Sequence, residues 1–256
     1  MNQAISLPSP FTGLESLKGQ LRALRSLSYI DPKGCIFGTR LDSILDPESL
    51  SRVPHLVMET FHYVSPIDVL ELVLSSKDVR IAILSEQPSE DGILGSFIDG
   101  EIFKNHAFLQ KFRHAIRLVL YYDELEIVNC VGSKTGIHKL GIFYFKIDNL
   151  PPHMNSELSS IHVLLISCYE DVKRYDLDQA LAPFMQDLAK LESEEGVKLV
   201  FDDEMFILCA TVITLCGDSL AGHEVMNLMG LSANYFCRKC MYSRCDLHEG
   251  STLRAQ

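Results

Sequence analysis

Two aspartates sit in strand-like surroundings where an acid is out of place. Asp123 interrupts an apolar and aromatic run, Leu120-Tyr121-Tyr122-Asp123-Glu124, and Asp218 closes the most apolar run of the chain, FILCATVITLCGD. Carboxylates that converge from the ends of different strands can hold divalent cations, and oxygen donors suit Mg²⁺ or Mn²⁺. Two such ions roughly 3.5–4 Å apart would clamp the attacking and leaving oxygens of a phosphodiester. Each acid also has a plain structural reading. An Asp after Gly at a strand end is commonly a helix N-cap or turn residue. Asp123 can equally be an edge position facing water, with Glu124 and Glu126 beside it.

A second group of reactive side chains lies near the other end. Cys237-Arg238-Lys239-Cys240 is a C-x₂-C pair, and Cys245 and His248 follow, giving C-x₂-C-x₄-C-x₂-H. Four such ligands could complete a tetrahedral zinc site. The bland alternative is a pair of reduced surface thiols. A redox role is disfavoured because no thioredoxin-like helix follows the pair. His106, His114, His138 and His162 are isolated in sequence and read as packed or solvated side chains. Gly132-Ser133-Lys134-Thr135-Gly136 lacks the order of a phosphate loop and leads into a strand, which argues against nucleotide binding. Lys134, Lys139, Arg238, Lys239 and Arg244 could touch DNA phosphates, but their default role is solubility.

The elements that must position these groups are legible in outline. Leu14, Leu17, Leu21, Leu24 and Leu27 recur at helical spacing among Lys18, Arg22 and Arg25, predicting a basic amphipathic helix over Phe11 to Ile30. Pro54 to Ser75 reads as a second helix-like region interrupted at Ser65-Pro66, with Ser65 as N-cap and Pro66 at the first helical position. Val79 to Leu84 reads as a short strand, Ser85 to Gly95 as a loop, and Ile102 to Phe112 as a short helix. After Ala115 three strands are expected: Ile116 to Val128, Leu140 to Ile147 and Ile161 to Tyr169. Short connections make them antiparallel neighbours. Asp178 to Glu194 is an amphipathic helix ended by Gly196. Val197 to Val200 and Met205 to Cys216 follow as strands around Asp202-Asp203-Glu204. Met205 to Cys216 is expected beside the first of the three strands, with the helix across the sheet. Periodicity by itself establishes only mixed α/β.

Composition narrows the class. Hydrophobic residues make up 47% and charged residues 22% of the 256, a balance that argues for a globular core rather than disorder. No run approaches the roughly 18 apolar residues that span a bilayer, so no membrane role is expected. Met1 to Pro10 does not read as a secretory signal. Cys35, Cys130, Cys168, Cys209 and Cys216 are scattered through apolar runs, as buried thiols are in a reducing compartment, which predicts cytosol or nucleus. The formal net charge of −11 suits a core that gathers carboxylates, and any grip on DNA would have to come from a local basic surface or from elsewhere.

The segment from Leu120 to Gly141, containing YYDELEIVNCVGSKTGIHKLG, resembles transposase-like proteins encoded by DNA transposons in animal genomes, distantly of the CACTA and Kyakuja-Dileera-Zisupton types. The likeness runs through Asn149-Leu150-Pro151-Pro152, DQALAPFMQDLAKLE with Gly196-Val197, FILCATVITLCGDSLAGHEVMNLMG and NYFCRKC, covering roughly Phe97 to Cys240. It implies a ribonuclease-H-like mixed sheet with a DDE triad and a two-metal Mg or Mn site. Asp123 would be the first acid and Asp218 the second. The third acid has no match in the chain, and such proteins continue beyond the position of Gln256, so the resemblance implies a C-terminally truncated core that is inactive as this fragment. Cys130 stands where relatives carry Pro in a turn. The resemblance makes Cys237 and Cys240 the start of a zinc-binding insertion, with Cys245 and His248 as bystanders. It further implies DNA, the transposon ends, as partner, a possible homo-oligomer and a nuclear location.

The organisation expected is therefore a mostly helical region over 1–95, an incomplete ribonuclease-H-like transposase core over 96–230, and a cysteine-rich zinc-binding segment over 231–256. The function expected is metal-dependent DNA strand cleavage and transfer. The alternatives are a domesticated, non-catalytic remnant that binds DNA or protein, and a zinc-dependent adaptor with no nucleic-acid role.

Overall fold

The computed structural model of the chain describes residues 29–48, 50–89, 92–127, 139–230 and 232–237, together with positions 16, 18, 20, 240, 243 and 244. Most of the expected basic helix, the Gly132–Gly136 loop, Cys245 and His248 lie outside the described residues.

A mixed α/β architecture surrounds one six-stranded sheet. Its strands are β1 (Lys33–Leu45), β2 (Arg52–Tyr63), β3 (Ile116–Glu126), β4 (Lys139–Ile147), β5 (His162–Cys168) and β8 (Ala210–Cys216), in the order β1-β2-β5-β4-β3-β8. The β3–β4 and β4–β5 pairs are antiparallel, and β8 lies parallel to β3. Between β5 and β8 the chain crosses the sheet through the Tyr169–Tyr175 and Leu177–Leu191 helices. It then forms a separate hairpin, β6 (Val197–Phe201) with β7 (Glu204–Leu208). Asp202 and Asp203, both at positive φ, make the two-residue turn that such a hairpin requires.

The core follows from alternation. Ile116, Leu118, Leu120 and Tyr122 of β3 and Phe143, Phe145 and Ile147 of β4 are buried on one face. Val69, Leu70 and Leu74 of the Pro66–Leu74 helix join the same cluster, as do Ala180, Phe184, Leu188 and Leu191 of the Leu177–Leu191 helix. On the other face, Ile98, Phe103, Leu109 and Cys209 form a smaller cluster near the start of β3. No helix among the described residues is long and apolar enough to cross a membrane.

Several expectations need correction. The described part of 1–95 is not mostly helical. Residues 54–63, read as helix, belong to β2, which pairs with β1 from end to end and with β5 at His62 and Tyr63. Hence this region is part of the same sheet as the rest. Helix-like spacing misled here because the Arg52–Met58 part of the strand is largely exposed on both faces; buried alternation shows only at its end, in Glu59, Phe61 and Tyr63. Val79 to Leu84 is helical, within Lys77–Leu84. Tertiary packing decides this, since Ile83 is fully buried and Val79, four residues earlier, packs on the same core. Ile102 to Phe112 is two short helices, Glu101–Asn105 and Ala107–Lys111, broken at His106, whose ring accepts from the Leu109 N–H. Met205 to Cys216 is two strands, split at Cys209 where the chain leaves the hairpin and enters the sheet.

Arg117 is the largest fully buried side chain. Its Nη atoms donate to both oxygens of Glu86 at 2.6 and 2.9 Å, and its Nε donates to Asp148 at 2.9 Å. Its backbone N–H donates to Asn149, whose amide returns a bond to the Ala115 carbonyl. Burial works against the guanidinium charge, but the bonds to Glu86 and Asp148 outweigh it and raise its pKa. The loop after Leu84 is thereby pinned to β3. At the loop's far side, backbone N–H groups of Ser89, Ser96 and Gly95 hold the Asp99 carboxyl down to about 2. Replacing Arg117 with Leu leaves two carboxylates facing a buried gap. Because both are partly open to water, the expected loss is about 3 kcal/mol, the lower end for a broken buried ion pair. Urea unfolding of the variant measures it, and a loss within experimental error would show that the clamp holds nothing.

Candidate active site

Asp123 and Asp218 are 95 residues apart (218 − 123) and belong to the carboxyl ends of neighbouring parallel strands. Tyr121 pairs with Cys216, the last residue of β8; Asp123 lies two residues beyond this pair on β3, and Asp218 two residues beyond it in the turn that leaves β8. Gly217 makes the close approach. A Cβ there would stand 3.1 Å from the Tyr122 carbonyl and 3.2 Å from the Ala221 Cβ. Any larger residue would push the turn away from β3.

Both aspartates are exposed. Asp123 Oδ1 accepts the Glu124 N–H at 2.8 Å, and Asp218 Oδ1 accepts the Ala221 N–H at 2.7 Å. Asp218 is thus the N-cap of the Ser219–Val225 helix, as its position after Gly217 suggested. The cap and a carboxylate ligand are compatible roles, because the cap engages one oxygen. Among the described residues no third His, Cys, Asp or Glu joins the pair in a group suited to a metal.

The surroundings differ on the two faces. On the Asp123 side, Tyr121 and Tyr144 stack with centroids 5.0 Å apart and planes 2° from parallel. Burial, then the charges of Asp123 and Cys216, raise the Tyr144 pKa. On the opposite, core-facing side lie Glu124 and Tyr122 of β3, Lys139 of β4, Tyr169 and Glu224. Lys139 pairs with Glu124 at 2.9 Å, and Tyr169 donates to Glu224 at 2.7 Å. Sequence reasoning missed Tyr169 and Glu224 as neighbours of the site, because only the crossover brings them there. A cleft of about 720 Å³ lies towards the other end of β4 around Glu86, Lys146 and Asp148, and neither aspartate lines it. Strand-end adjacency of two acids is the more specific chemical signal, so we place the candidate site at Asp123 and Asp218.

Cys237 and Cys240 approach to 3.3 Å between sulfurs, well beyond a disulfide bond. They lie in the turn of a small hairpin closed by the Tyr235–Ser243 bridge and by the Arg244 N–H donating to the Asn234 carbonyl. Two sulfurs each about 2.3 Å from one zinc in tetrahedral geometry stand about 3.8 Å apart, so this turn fits two of the ligands.

No protein-family model matches the chain, and no curated protein matches it significantly.

The two aspartates should separate by stability. Asp218→Ala loses the cap and is expected to cost about 1 kcal/mol, whereas Asp218→Asn keeps an acceptor and costs a few tenths. Asp123→Asn, at an exposed position, should stay within about 0.5 kcal/mol of the parent. Denaturant unfolding of the three variants reads this directly. An Asp123→Asn loss as large as that of Asp218→Ala would contradict the roles described.

Proposed function

We propose that residues 96–230 form a ribonuclease-H-like core of the DDE transposase type, in which Asp123 and Asp218 hold divalent metal for cleavage and transfer of DNA strands. The observation that carries this reading is the β3–β8 register, which brings two acids distant in sequence to adjacent strand ends. The order β5-β4-β3-β8, with two antiparallel pairs and a parallel last pair after a helical crossover, supports it. The resemblance over Phe97 to Cys240 supports it independently.

The donors are hard carboxylate oxygens, which suit Mg²⁺ or Mn²⁺ better than a soft metal. When bound, such ions stabilise charge on the attacking and leaving oxygens of a phosphodiester. Asp123 would contribute an oxygen from a rigid, doubly paired strand. Asp218 would contribute one from a turn whose direction the cap fixes. The remaining requirement, a third carboxylate, is not met by a described residue near the pair. That observation favours the second reading for this chain in isolation, a non-catalytic remnant that keeps the fold and binds DNA or protein. Both readings share the fold; the first takes DNA as its partner and a nuclear location, the second DNA or protein. The Cys237–Cys240 hairpin would hold structural zinc beside that core.

Titration with Mn²⁺, followed by calorimetry and by paramagnetic broadening of backbone amides, tests the site. Binding should broaden residues near Asp123 and Asp218. Loss of outer-shell partners costs roughly 10–100-fold in metal affinity, so Asp123→Asn or Asp218→Asn should cost at least about tenfold. Broadening elsewhere, or affinity untouched by both changes, would remove the reading.

Zinc content gives a separate check. Purified protein should carry about one zinc per chain, and Cys237→Ser should abolish it. A chelator should unfold the hairpin while the sheet survives, because metal binding and local folding are coupled. Protein free of zinc under metal-replete expression would rule the hairpin out as a zinc site.

A further inference from the structure

Asp218 heads a helix of only two turns, so whatever holds that helix also holds the acid. Residues 218 and 224 lie about 9 Å apart along the axis, at about 1.5 Å per residue. Ala221, Gly222 and His223 are buried beneath it, and His223 Nδ1 lies 2.9 Å from the Met229 carbonyl just past its end. Its polar tie to the start of the crossover, directly after β5, is the hydrogen bond from Tyr169 Oη to Glu224 Oε1 at 2.7 Å.

This tie sits in a charged knot on the core side of the sheet. The Tyr169 hydroxyl is also within bonding reach of Glu124, the residue after Asp123, and Glu124 is paired with Lys139 at 2.9 Å. Lys173 Nζ stands 4.0 Å from the Tyr169 ring centroid and Lys139 Nζ stands 5.6 Å from it. One carboxylate therefore comes from β3 and one from the helix, and a single hydroxyl proton lies between them. Without that proton, Glu124 and Glu224 would face each other with Lys139 as the nearest cation and no donor for Glu224. Their repulsion acts on the more weakly anchored of the two elements, the short helix. Lifting its last turn tilts its first, and Asp218 moves away from Asp123.

We propose that Tyr169 and Glu224 are positioning residues for Asp218: their hydrogen bond holds the Ser219–Val225 helix down on the sheet and so sets the geometry of the Asp123–Asp218 pair. The inference rests on the reading of that pair as a divalent-metal site. It adds a requirement for two residues that would touch neither metal nor DNA.

The test uses the full chain and Mn²⁺ affinity. Tyr169→Phe removes one oxygen and should bind Mn²⁺ roughly tenfold more weakly, as loss of an outer supporting contact does, with an unchanged far-ultraviolet circular dichroism spectrum. Glu224→Ala should behave the same way. Glu224→Gln still accepts the Tyr169 proton and should keep the parent affinity, although it removes the same negative charge as Glu224→Ala. That comparison separates positioning from simple electrostatic attraction of the cation, and it decides the matter should Tyr169→Phe misfold. Parent-like affinity in both Tyr169→Phe and Glu224→Ala, alongside loss of binding in Asp123→Asn, would overturn the positioning role and leave the metal site standing. Equal losses in Glu224→Gln and Glu224→Ala would overturn it as well. Undiminished binding in Asp123→Asn would bring down the metal site and this inference together.

Discussion

Strand β8 lies parallel to β3, and a parallel neighbour cannot be reached through a tight turn. The chain must cross the sheet and return, and the helices from Tyr169 to Leu191 are that crossing. Once the pairing is made, the two strands point their carboxyl ends the same way. With Tyr121 opposite Cys216, the turn that leaves β8 then falls at the same end of the sheet as Asp123. In an antiparallel pair Asp123 and Asp218 would lie at opposite ends of the sheet. The acid pair, the burial of Tyr169 beneath it and the Glu224 contact all follow from this single choice of strand direction. Arg117 reinforces it at the opposite end. From the second position of β3, which pairs with both β4 and β8, it fixes the loop after Leu84 and the turn after β4 through Glu86 and Asp148.

The sequence carries this part of the fold unusually well, for a physical reason. β3, β4 and β5 are buried on at least one face, so their composition is constrained, and the Leu177–Leu191 helix shows its core stripe at Ala180, Phe184, Leu188 and Leu191. Where burial is weak, the pattern fades. In β1 and β2, Leu41, Leu56 and Met58 are more than half exposed, and nothing in their spacing marks a strand. The Lys77–Leu84 helix is too short for propensity to decide, and the contact made by Ile83 decides instead. The break at Cys209 is invisible in an unbroken apolar run. It appears only when the hairpin and the sheet compete for the same segment.

The candidate site was legible to the extent that it depends on residue type. An acid in an aromatic strand and an acid after a strand-ending glycine can be picked out by eye. Their adjacency could not be derived from spacing, since the register sets it. Glu124 and Glu224 are no less acidic and no farther from the strand ends, yet alternation turns Glu124 to the core side. There Lys139 and the Tyr169 hydroxyl occupy the two carboxylates. Two pairs of acids thus lie at one end of the sheet, and among the described residues Lys139 pairs with an acid of the core-side pair.

That difference bears on what each metal would do for the protein. Exposed carboxylates repel each other only weakly in water. On the proposed reading, the sheet would therefore position Asp123 and Asp218 before any ion arrives. An ion bound there would add little to folding and would be easily exchanged, as suits a centre that acts on a passing substrate. The Cys237–Cys240 turn is the opposite case. Cys240 is exposed, and among the described residues the segment is held by the Tyr235–Ser243 bridge and the Arg244–Asn234 bond and joins neither buried apolar cluster. A zinc ion there would supply the cohesion that a hydrophobic core supplies elsewhere, which makes it a structural metal. On the proposed reading, hard oxygens at the sheet and soft sulfurs at the cysteine pair would divide the two roles: the first site would keep its shape while exchanging its ion, and the second would keep its ion to hold its shape.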